Sequence, residues 1–126
     1  MINNYFKLRN VNSKNSSLTV LENIDCNFNF KRIYLLHNFI KKTSRGRHYH
    51  KNNKQIIICL NGKVLIKYFN IKDKREIKSI YLRKKNEAFY IDNFYWHELI
   101  CYKNTIVLVV AENNFNPKDY FTIDDE

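Results

Sequence analysis

The sequence predicts an all-β protein, an antiparallel sandwich or barrel formed as a single domain over residues 1–126. Eight or more short runs rich in β-branched and aromatic residues recur at regular spacing, parted by turn residues. No stretch carries a helical period of useful length. The composition agrees: 44% hydrophobic residues, with nine Tyr and nine Phe, are enough for one core. Only two Gly and one Pro leave no room for linkers or low-complexity tracts.

Taken in order, residues 1–16 are polar and Asn-rich, with Tyr5–Leu8 as a first short strand. The turn Asn12–Ser17 precedes an alternating strand, Ser17–Glu22, and Phe28–Ile40 reads as one long strand. A basic loop, Lys41–Arg47, leads to His48 and His50. The β-branched run Gln55–Leu60 then ends at Asn61-Gly62, the strongest hairpin signal in the chain, returning through Lys63–Phe69. A second hairpin is expected at Lys72-Asp-Lys74 into Glu76–Leu82. Arg83–Asn86 turns the chain into Glu87–Ile91, and strands His97–Cys101 and Thr105–Glu112 follow, joined by Tyr102-Lys-Asn104. Pro117 suits the first position of one helical turn opened by Asn116, and the acidic end, Asp124–Glu126, is expected to fray.

Charge and cysteine usage narrow the functional class. With 22 Lys and Arg against 12 Asp and Glu, the net charge is +10. The cations are scattered over turns and strand faces, and no aromatic-basic signature of a nucleic-acid binder is present. The reading is solvated surface plus a few cations for an anionic small molecule, with no nucleic-acid or membrane partner. The longest apolar run, Ile106–Ala111, is too short to span a bilayer, and the N-terminus has no signal-peptide layout. Three cysteines in unrelated spacings, Cys26, Cys59 and Cys101, read as reduced small hydrophobes, and the expected location is the cytoplasm.

The chemistry-bearing stretch is Arg45-Gly-Arg-His-Tyr-His-Lys51. In an extended chain residues i and i+2 share a face, so the imidazoles of His48 and His50 point the same way and Tyr49 points the other. Two polar residues could simply alternate on a solvated strand. Gln55 and His97, however, follow at spacings that fit a pocket. Gln55 is neutral where a divalent ion beside imidazoles would call for an anionic ligand. Three imidazoles without a carboxylate lean towards proton transfer, with metal binding second.

The blocks Phe30-Lys-Arg-Ile-Tyr34, Arg45-Gly-x-His-x-His-Lys51, Gln55, Leu60-Asn-Gly62, Trp96-His-Glu98 and Pro117-Lys-Asp-Tyr120 stand in the order found in nucleotide-sugar 3,4-ketoisomerases of the FdtA type. The chain resembles this family from about Leu18 to Tyr120. The resemblance implies a small jelly-roll cupin that works without a cofactor or metal, as a homodimer with strands exchanged between subunits. Its implied reaction converts dTDP-4-keto-6-deoxyglucose to the 3-keto isomer, towards 3-amino-3,6-dideoxy sugars of surface glycans. It places catalysis on His48 and His50, with His50 preferred as the C–H base. Substrate contacts fall to Arg32, Tyr34, Arg45, Gln55, His97, Lys14 and Trp96. Arg32 and Arg45 are the diphosphate ligands, since a guanidinium fork suits that group. His directly after the Trp goes with the galacto product. Two other classes compete: a metal-dependent cupin using His48, His50 and His97 on iron or zinc, and a non-catalytic sugar-binding cupin.

Overall fold

A computed structural model describes residues 4–26, 28–73 and 76–123. The described residues form eleven strands and two short 3-10 turns. Three antiparallel groups result. A five-stranded sheet has the order β1 (Tyr5–Lys7), β9 (Glu87–Ile91), β6 (Gln55–Asn61), β11 (Ile106–Ala111), β4 (Arg32–Leu36). A four-stranded sheet has the order β5 (Thr43–His48), β10 (Tyr95–Cys101), β7 (Val64–Asn70), β8 (Lys78–Leu82). A separate hairpin joins β2 (Arg9–Asn12) to β3 (Ser17–Val20). From β4 onward the chain changes sheet at every connection except the β7–β8 hairpin, as in a jelly roll of the cupin type.

The main core lies between the two sheets. Ile57, Cys59, Phe89, Ile91, Val107 and Val109 of the larger sheet meet Val64, Ile66, Leu82, Leu99 and Cys101 of the smaller. A second cluster covers the outer face of the larger sheet, where Ile56, Ile58, Tyr90 and Val110 pack against Leu8 and Phe28. Strand β6 is therefore buried on both faces, which is why its sequence is a continuous apolar run rather than an alternation. On β4 the alternation survives: Arg32, Tyr34 and Leu36 turn inward, while Ile33 and Leu35 face out.

Three expectations are corrected. Asn61-Gly62 is not a hairpin: β6 pairs with β9 and β11, and β7 with β8 and β10, so the turn is a corner between sheets. The local requirement is the one that was read, since Gly62 has φ +75°; a Cβ there would stand 2.9 Å from the Thr105 hydroxyl. What a two-residue signal lacks is any information on which strands pair. The supposed strand Phe28–Ile40 is a strand only over Arg32–Leu36, because Phe28 and Phe30 pack on the outer face and Asn38 turns with φ +63°. The loop Lys41–Arg47 is instead largely strand β5, paired along β10. The β7–β8 pairing and the turn at Pro117–Asp119, capped by Asn116 accepting from the Lys118 amide, are present as expected, while Lys74 of the expected turn Lys72-Asp-Lys74 lies outside the described residues. Asp124–Glu126 lie outside the described residues.

Candidate active site

The site is assembled at one end of the sandwich from β4, β5, β6, β10 and the C-terminal turn. Across β11, Ala111 stands in register between Arg32 on β4 and Gln55 on β6. All three face inward, and the small alanine leaves open space between the two larger side chains. An open cavity of about 400 Å³ is lined by Arg32, Tyr34, Arg45, Gly46, His48, Gln55, His97 and Tyr120 among others. The Arg32 guanidinium lies 4.4 Å from the centre of the Tyr34 ring. Gln55 is buried and donates from Nε2 to the Tyr34 hydroxyl at 3.3 Å. Burial pushes the Tyr34 phenol up, so it keeps its proton and remains a donor.

Strand β5 reaches this cavity through an irregularity. His48 pairs with His97, but Glu98 pairs with Gly46, so Arg47 is an extra residue on the β5 side. Gly46 and Arg47 take φ values of +95° and +64°. Arg47 turns outward, where its guanidinium meets the Glu98 carboxylate at 3.1 Å and Ser44 donates to the same oxygen at 2.5 Å.

Three histidines gather here. Ring centroids of His48 and His50 are 4.9 Å apart, those of His48 and His97 5.0 Å, and those of His50 and His97 6.0 Å. His48 lines the cavity, and His50 stands behind it, buried beside Tyr120. His50 Nδ1 lies 2.5 Å from the Asp119 carbonyl, which can only accept, so the ring proton is on Nδ1. Its Nε2 is left bare, buried and without a hydrogen bond. His97 donates in the same way from Nδ1 to the Tyr95 carbonyl at 3.2 Å. Burial first, and then the neighbouring imidazole, depress His48 to about 4 and His97 to about 3, and burial also lowers His50. All three are neutral at pH 7.

Such a set can accept and return protons. One ligand atom from each of the three also falls within 4.8 Å of the others, so they are the group here that could hold a divalent ion. Among the described residues no carboxylate is part of that group; the Asp119 carboxylate comes to 3.9 Å from His50 Nδ1. Gln55, a neutral amide, lines the same cavity, as do the guanidinium groups of Arg32 and Arg45.

The chain matches the sequence model of the WxcM-like, C-terminal (FdtA) family over residues 2–126. It belongs to that family. The TDP-4-oxo-6-deoxy-alpha-D-glucose-3,4-oxoisomerase of Aneurinibacillus thermoaerophilus is 27% identical over 111 residues, 87% of this chain and 78% of that protein. WlaRA, a TDP-fucose-3,4-ketoisomerase of Campylobacter jejuni, superposes with a TM-score of 0.84 at 31% identity, covering 93% of this chain and 86% of its own. A mutant of the 3,4-ketoisomerase QdtA of Thermoanaerobacterium thermosaccharolyticum, solved with TDP-4-keto-6-deoxyglucose, gives 0.85 at 31% identity, covering 96% and 88%.

Set against this FdtA family membership, seven of the nine residues read from the sequence meet at the site: Arg32, Tyr34, Arg45, His48, Gln55 and His97 line the cavity, and His50 backs it. Two do not. Trp96 is buried in a separate cluster with Tyr49, Phe69 and Ile71, because successive residues of β10 face opposite ways and His97 takes the inward side. Lys14 lies in the turn of the β2–β3 hairpin, outside this cavity. Sequence reading missed Asp119 and Tyr120. The Tyr120 ring packs 4.8 Å from His48 and 4.7 Å from His50. The block Pro117–Tyr120 was visible as a family match, but nothing in its residue types says that it folds back onto the histidines.

Proposed function

We propose that this chain is a sugar-nucleotide 3,4-ketoisomerase acting on TDP-4-keto-6-deoxyglucose without a metal. The observation that carries the reading is the trio of neutral imidazoles, His48 half-buried and His50 and His97 buried, at the end of a cavity whose other walls bear two guanidinium groups. A base takes the C3 proton, acidified by the C4 ketone, and an enediolate forms. Delivery of a proton to C4, with the proton on the C3 oxygen passed to the C4 oxygen, leaves the ketone at C3 and a hydroxyl at C4. His48, which lines the cavity, has the more direct approach to the sugar; His50 is its partner in moving protons. This reverses the preference drawn from sequence. Tyr34 and Gln55 supply donors to the enediolate oxygens, while His97, its proton held on Nδ1 by the Tyr95 carbonyl, offers a bare Nε2 as an acceptor. Arg32 and Arg45 take the diphosphate.

His97 supports the galacto product, dTDP-3-keto-6-deoxygalactose, because its neutral ring, protonated on Nδ1, can accept from the C4 hydroxyl, where an arginine could only donate. A homodimer is supported by the β2–β3 hairpin, which pairs with neither main sheet and exposes Val11 and Leu18. In a dimer with exchanged strands Lys14 would serve the partner's cavity. A cytoplasmic place in deoxysugar synthesis for surface glycans goes with this substrate. The deciding experiment is incubation with TDP-4-keto-6-deoxyglucose in deuterated water followed by NMR. The 3-keto product labelled at C4 is expected; an untouched substrate would leave a sugar-binding protein.

A further inference from the structure

The C-terminal turn makes contacts that its sequence gives no reason to expect. The Asp119 carboxylate receives the backbone amides of Lys51 at 2.9 Å and Asn52 at 3.2 Å, one on each oxygen. The carbonyl of the same residue receives the Nδ1 proton of His50. Beyond it the chain runs antiparallel to the histidine segment: Tyr49 and Phe121 exchange both backbone hydrogen bonds, at 2.9 and 3.1 Å, and their rings stack. One residue thus grips the backbone just after His50 with its side chain and fixes the imidazole with its main chain.

We propose that Asp119 is a positioning residue for the isomerase reaction, its carboxylate holding residues 50–52 in register so that its own carbonyl locks His50 as the Nδ1–H tautomer. The proposal rests on the isomerase reading for its kinetic consequence and on hydrogen bonding alone for its structural one. An imidazole has two tautomers of similar energy in water, and only a fixed acceptor on one nitrogen leaves the other dependably bare. The carbonyl survives any substitution at this position; the grip on Lys51 and Asn52 does not. Removing the side chain therefore tests whether the carboxylate sets the tautomer or merely decorates the turn.

The test uses the full chain as wild type, Asp119→Ala and Asp119→Asn. Long-range proton–nitrogen NMR at pH 7 with TDP reads the His50 tautomer, and steady-state assays read kcat and KM. Wild type is expected to show bare Nε2 alone. Asp119→Ala should show both tautomers, with kcat down by about tenfold to a hundredfold, within the span of a general acid–base contribution, and KM within about threefold. Asp119→Asn keeps one carbonyl oxygen for one of the two amides and should fall between. A single bare-Nε2 tautomer in the alanine variant would overturn the proposal, as would a change in KM with kcat intact. If Asp119→Ala does not fold, a wild-type tautomer pattern in Asp119→Asn together with unaltered kcat overturns it. Should the wild type fail to turn over the sugar, the isomerase reading falls, and the tautomer spectra still decide this one.

Discussion

Arg45 and His48 lie three residues apart on one strand, yet both side chains line the same cavity. In a regular strand an odd separation puts residues on opposite faces. The extra residue, Arg47, opposite the His97–Glu98 step restores the match, so a guanidinium and an imidazole reach one cavity from a single strand. Arg47 itself is turned out onto Glu98.

That bulge depends on Gly46. Its φ of +95° is unfavourable for any residue with a Cβ, and such an atom would stand 3.1 Å from the His97 carbonyl oxygen. Gly46→Ala is expected to cost about 1–3 kcal/mol of strain and to lower both TDP affinity and turnover. Thermal melting with a TDP titration checks it; wild-type behaviour in both would show that the bulge tolerates a side chain.

Arg32→Lys and Arg45→Lys each keep the charge but lose the planar fork. Each should weaken TDP binding by about 1–3 kcal/mol, the range for a hydrogen bond to a charged group. Calorimetry with TDP measures this directly. Unchanged affinity in both variants would place the diphosphate elsewhere.

His48→Asn and His50→Asn should each slow isomerisation by about 10²–10⁴-fold with the fold retained. Rates of deuterium incorporation provide the measure, and a loss below tenfold in both would remove the proposed roles.

The depressed values of about 4 for His48 and about 3 for His97 set the pH dependence. Because the folded values lie below the ordinary 6.5, the unfolded chain binds more protons as pH falls through 6.5. Stability is therefore intact above that pH and declines on acidification towards 4 and 3, by up to about 1.4 kcal/mol per pH unit for each histidine. The acid limb of kcat/KM, a property of the free enzyme, should also lie below 6.5. Bound diphosphate favours the imidazolium, so the limb of kcat should lie at higher pH than that of kcat/KM. Rate profiles and melts from pH 4 to 8 would test the sign; a limb above 6.5 in kcat/KM would contradict it.

Much of this was readable because the informative residues act locally. The i, i+2 geometry of His48 and His50, the positive φ at Gly62 and the cap at Asn116 each depend on a few adjacent residues. What stayed hidden depends on residues far apart in the chain. Asn61-Gly62 announces a turn but not that β6 and β7 enter different sheets. Nothing between Lys41 and Arg47 says that β10 lies alongside to make it a strand. Trp96 and His97 are adjacent, and only the facing of β10 decides which one sees the cavity. Asp119 reaches His50 across 69 positions of sequence.

The change of sheet at successive corners has a kinetic corollary. Because sequence neighbours are seldom partners, the histidine cluster has no precursor in any single hairpin of the chain. It comes into being only after β5 has docked on β10, β6 on β11 and the Pro117–Phe121 segment on Tyr49. Topologies of this kind pay loop closure before their contacts form, and they fold slowly for their size. In a refolding experiment binding of TDP should therefore lag the recovery of β-sheet signal, with activity the last property to return.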